Sequence, residues 1–241
     1  MTTNWLKADW PAPDFINAGT TLRQGGVSQP PYDSFNLATH VGDAVEVVEE
    51  NRKLLNLPSA LQWLEQIHST TAVLLPCDDV IPKADASYTC KNNIVCAVMT
   101  ADCLPVLITD KEGSCVAAIH AGWRGLCHGI IEETIKKLPT AAEDLLVWLG
   151  PAIGPDVYEI GEEVYDAFTR NDNEAKQAFT PTVDQHWLFD IYRLAKLRLN
   201  RLGVGHIYGG NHCTLTEKDD FFSYRRDGAT GRMASMIWIE K

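Results

Sequence analysis

This sequence predicts an α+β fold, mixed but largely antiparallel in its strands and covered by helices. Three observations carry that expectation. Apolar strand-like runs follow one another across tight turns, which favours antiparallel pairing. Several amphipathic segments with a helical period are available to cover the strands, which argues against a doubly wound sheet. The 241 residues are 45% hydrophobic and 22% charged, enough apolar material for a substantial core without covalent staples. The chain shows no internal repeat, low-complexity tract or Pro/Ser linker, so one domain spanning 1–241 is expected.

In chain order, the opening reads as loop and short strand, with turn signals at Gly25-Gly26 and Pro30-Pro31. Residues 44–55 (AVEVVEENRKLL) have a helical period, with Asp43 as N-cap. Residues 72–75 and 95–99 read as strands. Residues 126–138, 161–170 and 191–202 read as helices. Residues 145–149 form a buried strand and 233–239 a closing one.

The balance of 21 basic and 32 acidic side chains gives a net charge of -11, which argues against a nucleic-acid polymer as partner. A small anion in a local arginine pocket stays compatible with it. Residues 1–15 (MTTNWLKADWPAPDF) lack a basic segment followed by an apolar one, so no signal peptide is expected. No apolar run has the length of a membrane span. Seven scattered cysteines, an odd number, fit free thiols in a reducing cytoplasm. No obligate protein partner is evident.

The stretch MTADCLPVLITDKEGSCVAAIHAGWRG, Met99 to Gly125, holds the chemistry. Two apolar runs flank DKEG, a four-residue hairpin loop ending in glycine. If Thr109 faces Ser114, antiparallel register brings Cys103 opposite His120 on one face, with Cβ atoms about 4.5–5.5 Å apart. A metal with sulfur and imidazole bonds of about 2.3 and 2.0–2.1 Å fits such a gap. A thiol–imidazole hydrogen bond fits it too. A one-residue slip in register would separate the two side chains. A buried cysteine and a structural histidine are the commoner occupants of strand ends. The AGWRG that follows His120 looks instead like a ligand-facing loop. His68, in WLEQIHS, is the best third ligand, and His40, in NLATHVGD, the second candidate. HExxH, Walker A and GxSxG motifs are absent, as is the HxE/PCxxC pattern of zinc nucleobase deaminases.

The blocks TLRQGGVSQPPYDSFNLATHVGD, ENR, WLEQIHS, ADASYT, VMTADCLPVL, AAIHAGWRG, LGPAIGPDVYEIGEEV and FFSYRRDGATGRMASMIWI closely resemble the YfiH-like family. Its members also carry the names multicopper polyphenol oxidase (laccase), purine nucleoside phosphorylase and peptidoglycan editing factor. The resemblance runs from about residue 20 to residue 239, and the chain looks most like the enterobacterial members. It implies an α+β sandwich shared with some cysteine-dependent bacterial toxins. It implies a metal held by His68, Cys103 and His120. It also implies phosphorolysis of adenosine, inosine and methylthioadenosine, with adenosine deamination beside it.

Two imidazoles, a thiolate and an open fourth position suit a catalytic zinc, which activates water for deamination. The same donors with a weak axial ligand describe a copper site, so copper is the alternative ion. A true laccase builds a further copper cluster mainly from histidines, often as HxH pairs. The seven histidines here form no HxH. A metal-free Cys103–His120 hydrolase, oriented by Asp85 or Asp102, is the third option and suits an editing role on cell-wall precursors. No organic cofactor is implied. Phosphorolysis needs a cation for phosphate, which a planar guanidinium grips bidentately. Arg124 is the first choice, being four residues past His120. Arg23, Arg52, Arg225, Arg226 and Arg232 are the others. Trp123, Phe222 or Tyr224 would stack on the base, and backbone N–H groups of Gly150–Gly154 would approach the ligand.

Overall fold

The computed structural model describes residues 5–240. The first four residues of the segment read for a signal peptide lie outside the described residues. In chain order the elements are β1 (Trp5–Lys7), β2 (Ile16–Thr21), α1 (Val45–Lys53), β3 (Ala72–Leu74), β4 (Ala86–Thr89), β5 (Cys96–Thr100), β6 (Leu104–Asp110), β7 (Val116–Ala121), α2 (Trp123–His128) and α3 (Ile130–Ile135). They continue with β8 (Leu145–Leu149), β9 (Glu159–Gly161), α4 (Glu162–Thr169), β10 (Phe179–Pro181), β11 (His186–Phe189), α5 (Ile191–Arg201), β12 (His206–Gly209), α6 (Tyr224–Asp227) and β13 (Met233–Ile239).

Six strands form a sheet in the order β12-β8-β6-β7-β4-β3, antiparallel except at its two edge pairs. A second sheet, β1-β2-β13-β5, is wholly antiparallel, and β10-β11-β9 make a small third one. Side-chain alternation along the central strands sets the layers. Leu104, Val106 and Ile108 of β6 pack with Ile130, Ile131 and Leu194 of α3 and α5. Leu107, between them, packs with Val116, Ala118 and Trp148 against Cys96, Val98 and Ile237 of the second sheet. The six-stranded sheet is therefore covered by helices on one face and by a sheet on the other. The outer face of the second sheet, through Ala97, Ala234 and Met236, is closed by Phe35, Leu37 and Leu55 around α1. The expected α+β sandwich is thus observed.

Three local expectations are corrected. Asp43 is not the N-cap of α1: Ala44 takes that place, and no side chain caps the helix. The Asp43 carboxylate instead accepts hydrogen bonds from Ser28 Oγ at 2.7 Å and Asn36 Nδ2 at 3.0 Å. The helix expected over 126–138 starts at Trp123 and breaks at Gly129, whose φ of 98° lies in the left-handed region. The apolar period runs through the break because Leu126, Ile130 and Ile135 all reach one core cluster.

The hairpin register is the third correction. Thr109 pairs with Val116, not Ser114, and Pro105 rather than Cys103 faces His120. Asp110 is the cause. Its carboxylate accepts the N–H groups of Glu112 and Ser114 at 3.0 and 2.9 Å, and the hydroxyls of Ser114 and Thr140. Those bonds draw Ser114 out of the ladder and lengthen the loop. The slip is two residues, which preserves side-chain parity. Cys103, one residue before β6, stays on the His120 side.

Candidate functional site

The site lies at the end of the sandwich, where residues 101–103 cross from β5 in one sheet to β6 in the other. Asp102 holds the crossing in a left-handed turn, with φ 89°. Its carboxylate accepts Thr214 Oγ1 at 2.6 Å and the Arg225 N–H at 2.7 Å. Asp102 is therefore a staple for the turn and bonds neither histidine.

Asp85 is the carboxylate that orients the site. It continues the β4/β7 ladder directly opposite His120, whose N–H donates to the Asp85 carbonyl at 2.7 Å. The fully buried Asp85 carboxylate meets His120 Nδ1 at 2.8 Å. An ionised carboxylate only accepts, so Nδ1 donates and Nε2 is left for the cluster. The same carboxylate accepts the N–H groups of Ile67 at 3.2 Å and His68 at 3.0 Å, and both the N–H and the hydroxyl of Ser69. His68 has a φ of 59°, which helps turn these successive N–H groups inward. Gln66 docks the same loop on β5: its amide donates to the Met99 carbonyl at 2.8 Å and accepts the Met99 N–H at 2.7 Å. One buried anion and one amide thus bring a loop histidine to a strand histidine.

The donor atoms of His68, Cys103 and His120 all lie within 4.8 Å of one another. Cys103 Sγ is 3.9 Å from His68 Nε2, and the two imidazoles meet edge to face, centroids 4.8 Å apart. That sulfur–nitrogen gap is below the sum of a zinc–sulfur and a zinc–imidazole bond, about 4.3–4.4 Å, so one ion can touch both atoms. Gly122 leaves the room: a Cβ there would stand 2.7 Å from His68 Cδ2 and 3.0 Å from Cys103 Sγ. The donor set therefore fits a metal of the zinc or copper type.

Electrostatics agree with a site that carries charge. Burial works to raise the Cys103 thiol, but the His120 charge and hydrogen bonds from both imidazoles outweigh it and bring it down to about 6. Burial works to lower His120, but the Cys103 thiolate and the Asp85 hydrogen bond push it up to about 9. Burial likewise opposes ionisation of Asp85, yet the His120 and Ser69 bonds hold it at about 2. Without a metal, these opposed shifts favour the thiolate of Cys103 and the protonated form of His120 beside the buried Asp85 carboxylate.

A cavity of about 410 Å³ opens on this cluster, and His40, Gln66, Thr100, Tyr224 and Arg232 share its walls with the three donors. His40 thus lines the cavity but stands outside the metal-ligand cluster. Arg124 lies outside the cavity lining, exposed and stacked over Trp123 at 4.4 Å, while Trp123 packs on the helical core. Arg23 is spent on the Asp33 and Lys218 carbonyls, and Arg52 on the Leu37 carbonyl and Glu49. Arg226 is held by Asp227 and three carbonyls, and Arg225 by the Glu159 carbonyl. Phe222 is fully buried under Arg23, so it is not placed to stack on a ligand. The N–H groups expected to face a ligand from Gly150–Gly154 are taken by Pro105, Tyr192, Asp102 and Cys213. Sequence reasoning missed Gln66 and Thr100. Gln66 stands two residues before His68 in the WLEQIHS block, which was the available signal.

The family model described as multi-copper polyphenol oxidoreductase laccase matches residues 17–240. A Haemophilus influenzae protein named purine nucleoside phosphorylase is 51% identical over 241 residues, covering 98% of this chain and 99% of the relative. Escherichia coli purine nucleoside phosphorylase YfiH is 53% identical over 235 residues, covering 95% and 96%. Among solved structures, Neisseria meningitidis protein NMB0706, of family model DUF152, superposes with a TM-score of 0.94 at 49% identity, covering 99% of this chain and 100% of that one. YlmD from Geobacillus stearothermophilus gives a TM-score of 0.93 at 30% identity, covering 100% and 98%. The chain belongs to the family of the multi-copper polyphenol oxidoreductase laccase model, the family that holds the YfiH proteins.

Proposed function

We propose that the protein is a purine nucleoside phosphorylase that acts on adenosine, inosine and methylthioadenosine, with adenosine deamination as a second activity. Zinc is the proposed ion, and the cytoplasm the proposed location. The observation that carries the reading is the convergence of His68, Cys103 and His120 on one cavity wall. The names of relatives about half identical to this chain support the reaction class. Held by those three donors, zinc would supply Lewis acidity beside the bound nucleoside. The chain's own residues do the rest. Asp85 keeps His120 in one tautomer and holds the His68 loop by its backbone. Tyr224, on the cavity wall, offers an aromatic face to a purine.

The test is incubation of pure protein with adenosine and phosphate. Adenine and ribose 1-phosphate are expected, with inosine as the deamination product. Cys103→Ala should lose metal and every nucleoside turnover together. Retained phosphorolysis in that variant would place the chemistry elsewhere.

A thiol hydrolase is the second reading, and the Cys103–His120–Asp85 arrangement favours it: a lowered thiol, an imidazole and an orienting carboxylate in one line of contacts. It predicts labelling of Cys103 by iodoacetamide in metal-stripped protein near pH 7, and hydrolysis of cell-wall amides without metal. For the copper reading, the His₂Cys cluster is the one group of three or more His, Cys, Asp or Glu donors within reach of one another among the described residues. Stoichiometric copper in protein purified without added metal, with phenol oxidation, would favour it over zinc.

A further inference from the structure

The phosphorylase reading requires a phosphate dianion beside the nucleoside, in a chain of net charge -11. Resting on that reading, the geometry points to Arg232, with His40, as the oxyanion subsite of the metal cavity. The first argument is elimination on structural grounds. The guanidinium groups of Arg23, Arg52 and Arg226 are each committed to several carbonyls or carboxylates, and Arg124 and Arg225 lie outside the cavity lining. Arg232 is the arginine on the cavity wall.

The second argument is what Arg232 lacks. Its Nη1 donates to the Thr230 and Gly231 carbonyls at 2.8 and 3.0 Å, which fixes one arm of the fork. Among the described residues its Nε and Nη2 have no hydrogen-bond acceptor, and no carboxylate pairs with it. The negative charges of Cys103 and Asp102 reach it only through space; a half-buried guanidinium with no anion bonded to it is costly, and two parallel N–H donors match a phosphate oxygen pair. Thr100 lines the same cavity beside it, while its own hydroxyl is buried and has no hydrogen-bond partner. Burial and the nearby Arg232 and Arg52 charges lower His40, and an imidazole in either protonation state can donate an N–H to an anion.

The third argument is that the subsite is built. Buried Asn36 accepts the Arg232 N–H at 3.0 Å and the Ala38 N–H at 3.0 Å through one oxygen, and its Nδ2 donates to the Ala38 carbonyl at 3.1 Å. One side chain thus ties the loop that carries His40 to the start of β13. Met233 pairs with Thr100 across β13/β5, so Thr100 and Arg232 share the open end of the second sheet. The Tyr224 ring centre, 5.8 Å from the Arg232 guanidinium carbon, braces the side chain.

The experiment reads binding directly. Metal-loaded wild-type protein is titrated with inorganic phosphate by calorimetry and by ³¹P line broadening, beside Arg232→Gln and Arg232→Lys. The expected result is phosphate binding in the wild type, weakened at least tenfold by Arg232→Gln and partly restored by lysine, with unchanged circular dichroism. Equal phosphate affinity in Arg232→Gln, or no binding in the wild type, overturns the assignment. A parallel arm uses adenosine 5′-monophosphate: Arg232-dependent binding of the nucleotide without binding of free phosphate overturns the cosubstrate role, since the subsite would then serve an esterified phosphoryl group. The failures are separable. Arg232-dependent phosphate binding without ribose 1-phosphate formation leaves the subsite standing and removes the phosphorylase reading. Ribose 1-phosphate formation with an unaltered phosphate KM in Arg232→Gln does the reverse.

Discussion

Replacing Asp85 with Asn keeps the side-chain shape but turns one acceptor oxygen into a donor. That donor would face N–H groups already aimed at it from residues 67–69, or the Nδ1–H of His120. Either way a buried donor loses its acceptor. The expected cost is about 3 kcal/mol of folding stability, read from the urea midpoint. Zinc affinity should fall about 10- to 100-fold in a competition titration with a chromophoric chelator, because His120 is no longer held in one tautomer. Gly122→Ala separates these effects. Gly122 has an ordinary φ of -64°, so alanine is allowed by the backbone. Its Cβ, however, would crowd the His68 ring and Cys103 Sγ. Zinc affinity should drop at least about tenfold while the urea midpoint stays within about 1 kcal/mol of wild type. An unchanged affinity would show that the His68 ring can swing aside at no cost. At this scale the three proposed ligands were legible, chiefly through the resemblance. The proposed phosphate arginine, Arg232, was one of six candidates and not singled out, because sequence shows how many guanidinium groups exist and not which are already paired.

The hairpin between β6 and β7 shows why elements were easier to read than their register. The apolar runs LPVLIT and SCVAAI announce two strands, and both exist. The loop length depends on one side chain, Asp110, whose capture of Ser114 no periodicity reveals. The break at Gly129 was hidden in the same way, since the apolar stripe continues through it. The strand Ala86–Thr89, which places Asp85, is too short and mixed to stand out. Asp110 gives a pH test of this account. Burial works to raise its carboxyl, but the Ser114, Cys115 and Thr140 hydrogen bonds outweigh it, and the folded value lies below the ordinary one. A lowered folded value stabilises fully above the unfolded pKa of about 3.9, and that contribution is lost as pH falls below it. Asp110→Ala should therefore cost about 2 kcal/mol at pH 7 and less at pH 3 in urea unfolding. An equal cost at both pH values would mean that the carboxylate charge is not what organises the loop.

On the scale of the molecule, the three donors come from three different places: a surface loop before β3, the crossing between the two sheets, and a central strand of the six-stranded sheet. That layering was legible as a class, because strands buried on both faces read as unbroken apolar runs. The meeting of the donors was not, since it depends on how two sheets end at one edge. The arrangement has a consequence for stability. An ion bound to His68, Cys103 and His120 ties the loop and both sheets together, and the unfolded chain offers no such geometry. Binding to the folded state alone adds about 2.7 kcal/mol when free metal is a hundred times its dissociation constant. For a chain of this length, 1 kcal/mol moves the melting temperature by about 2–4 °C. Stripping the metal with a chelator should then lower the midpoint by about 5–10 °C, and zinc should restore it. Cys103→Ala, which removes the sulfur donor, should melt at the same temperature with and without chelator. A wild-type midpoint indifferent to chelator and to added zinc would mean that the cluster holds no ion at micromolar concentrations, and would leave the thiolate–imidazolium pair as the working form of the site.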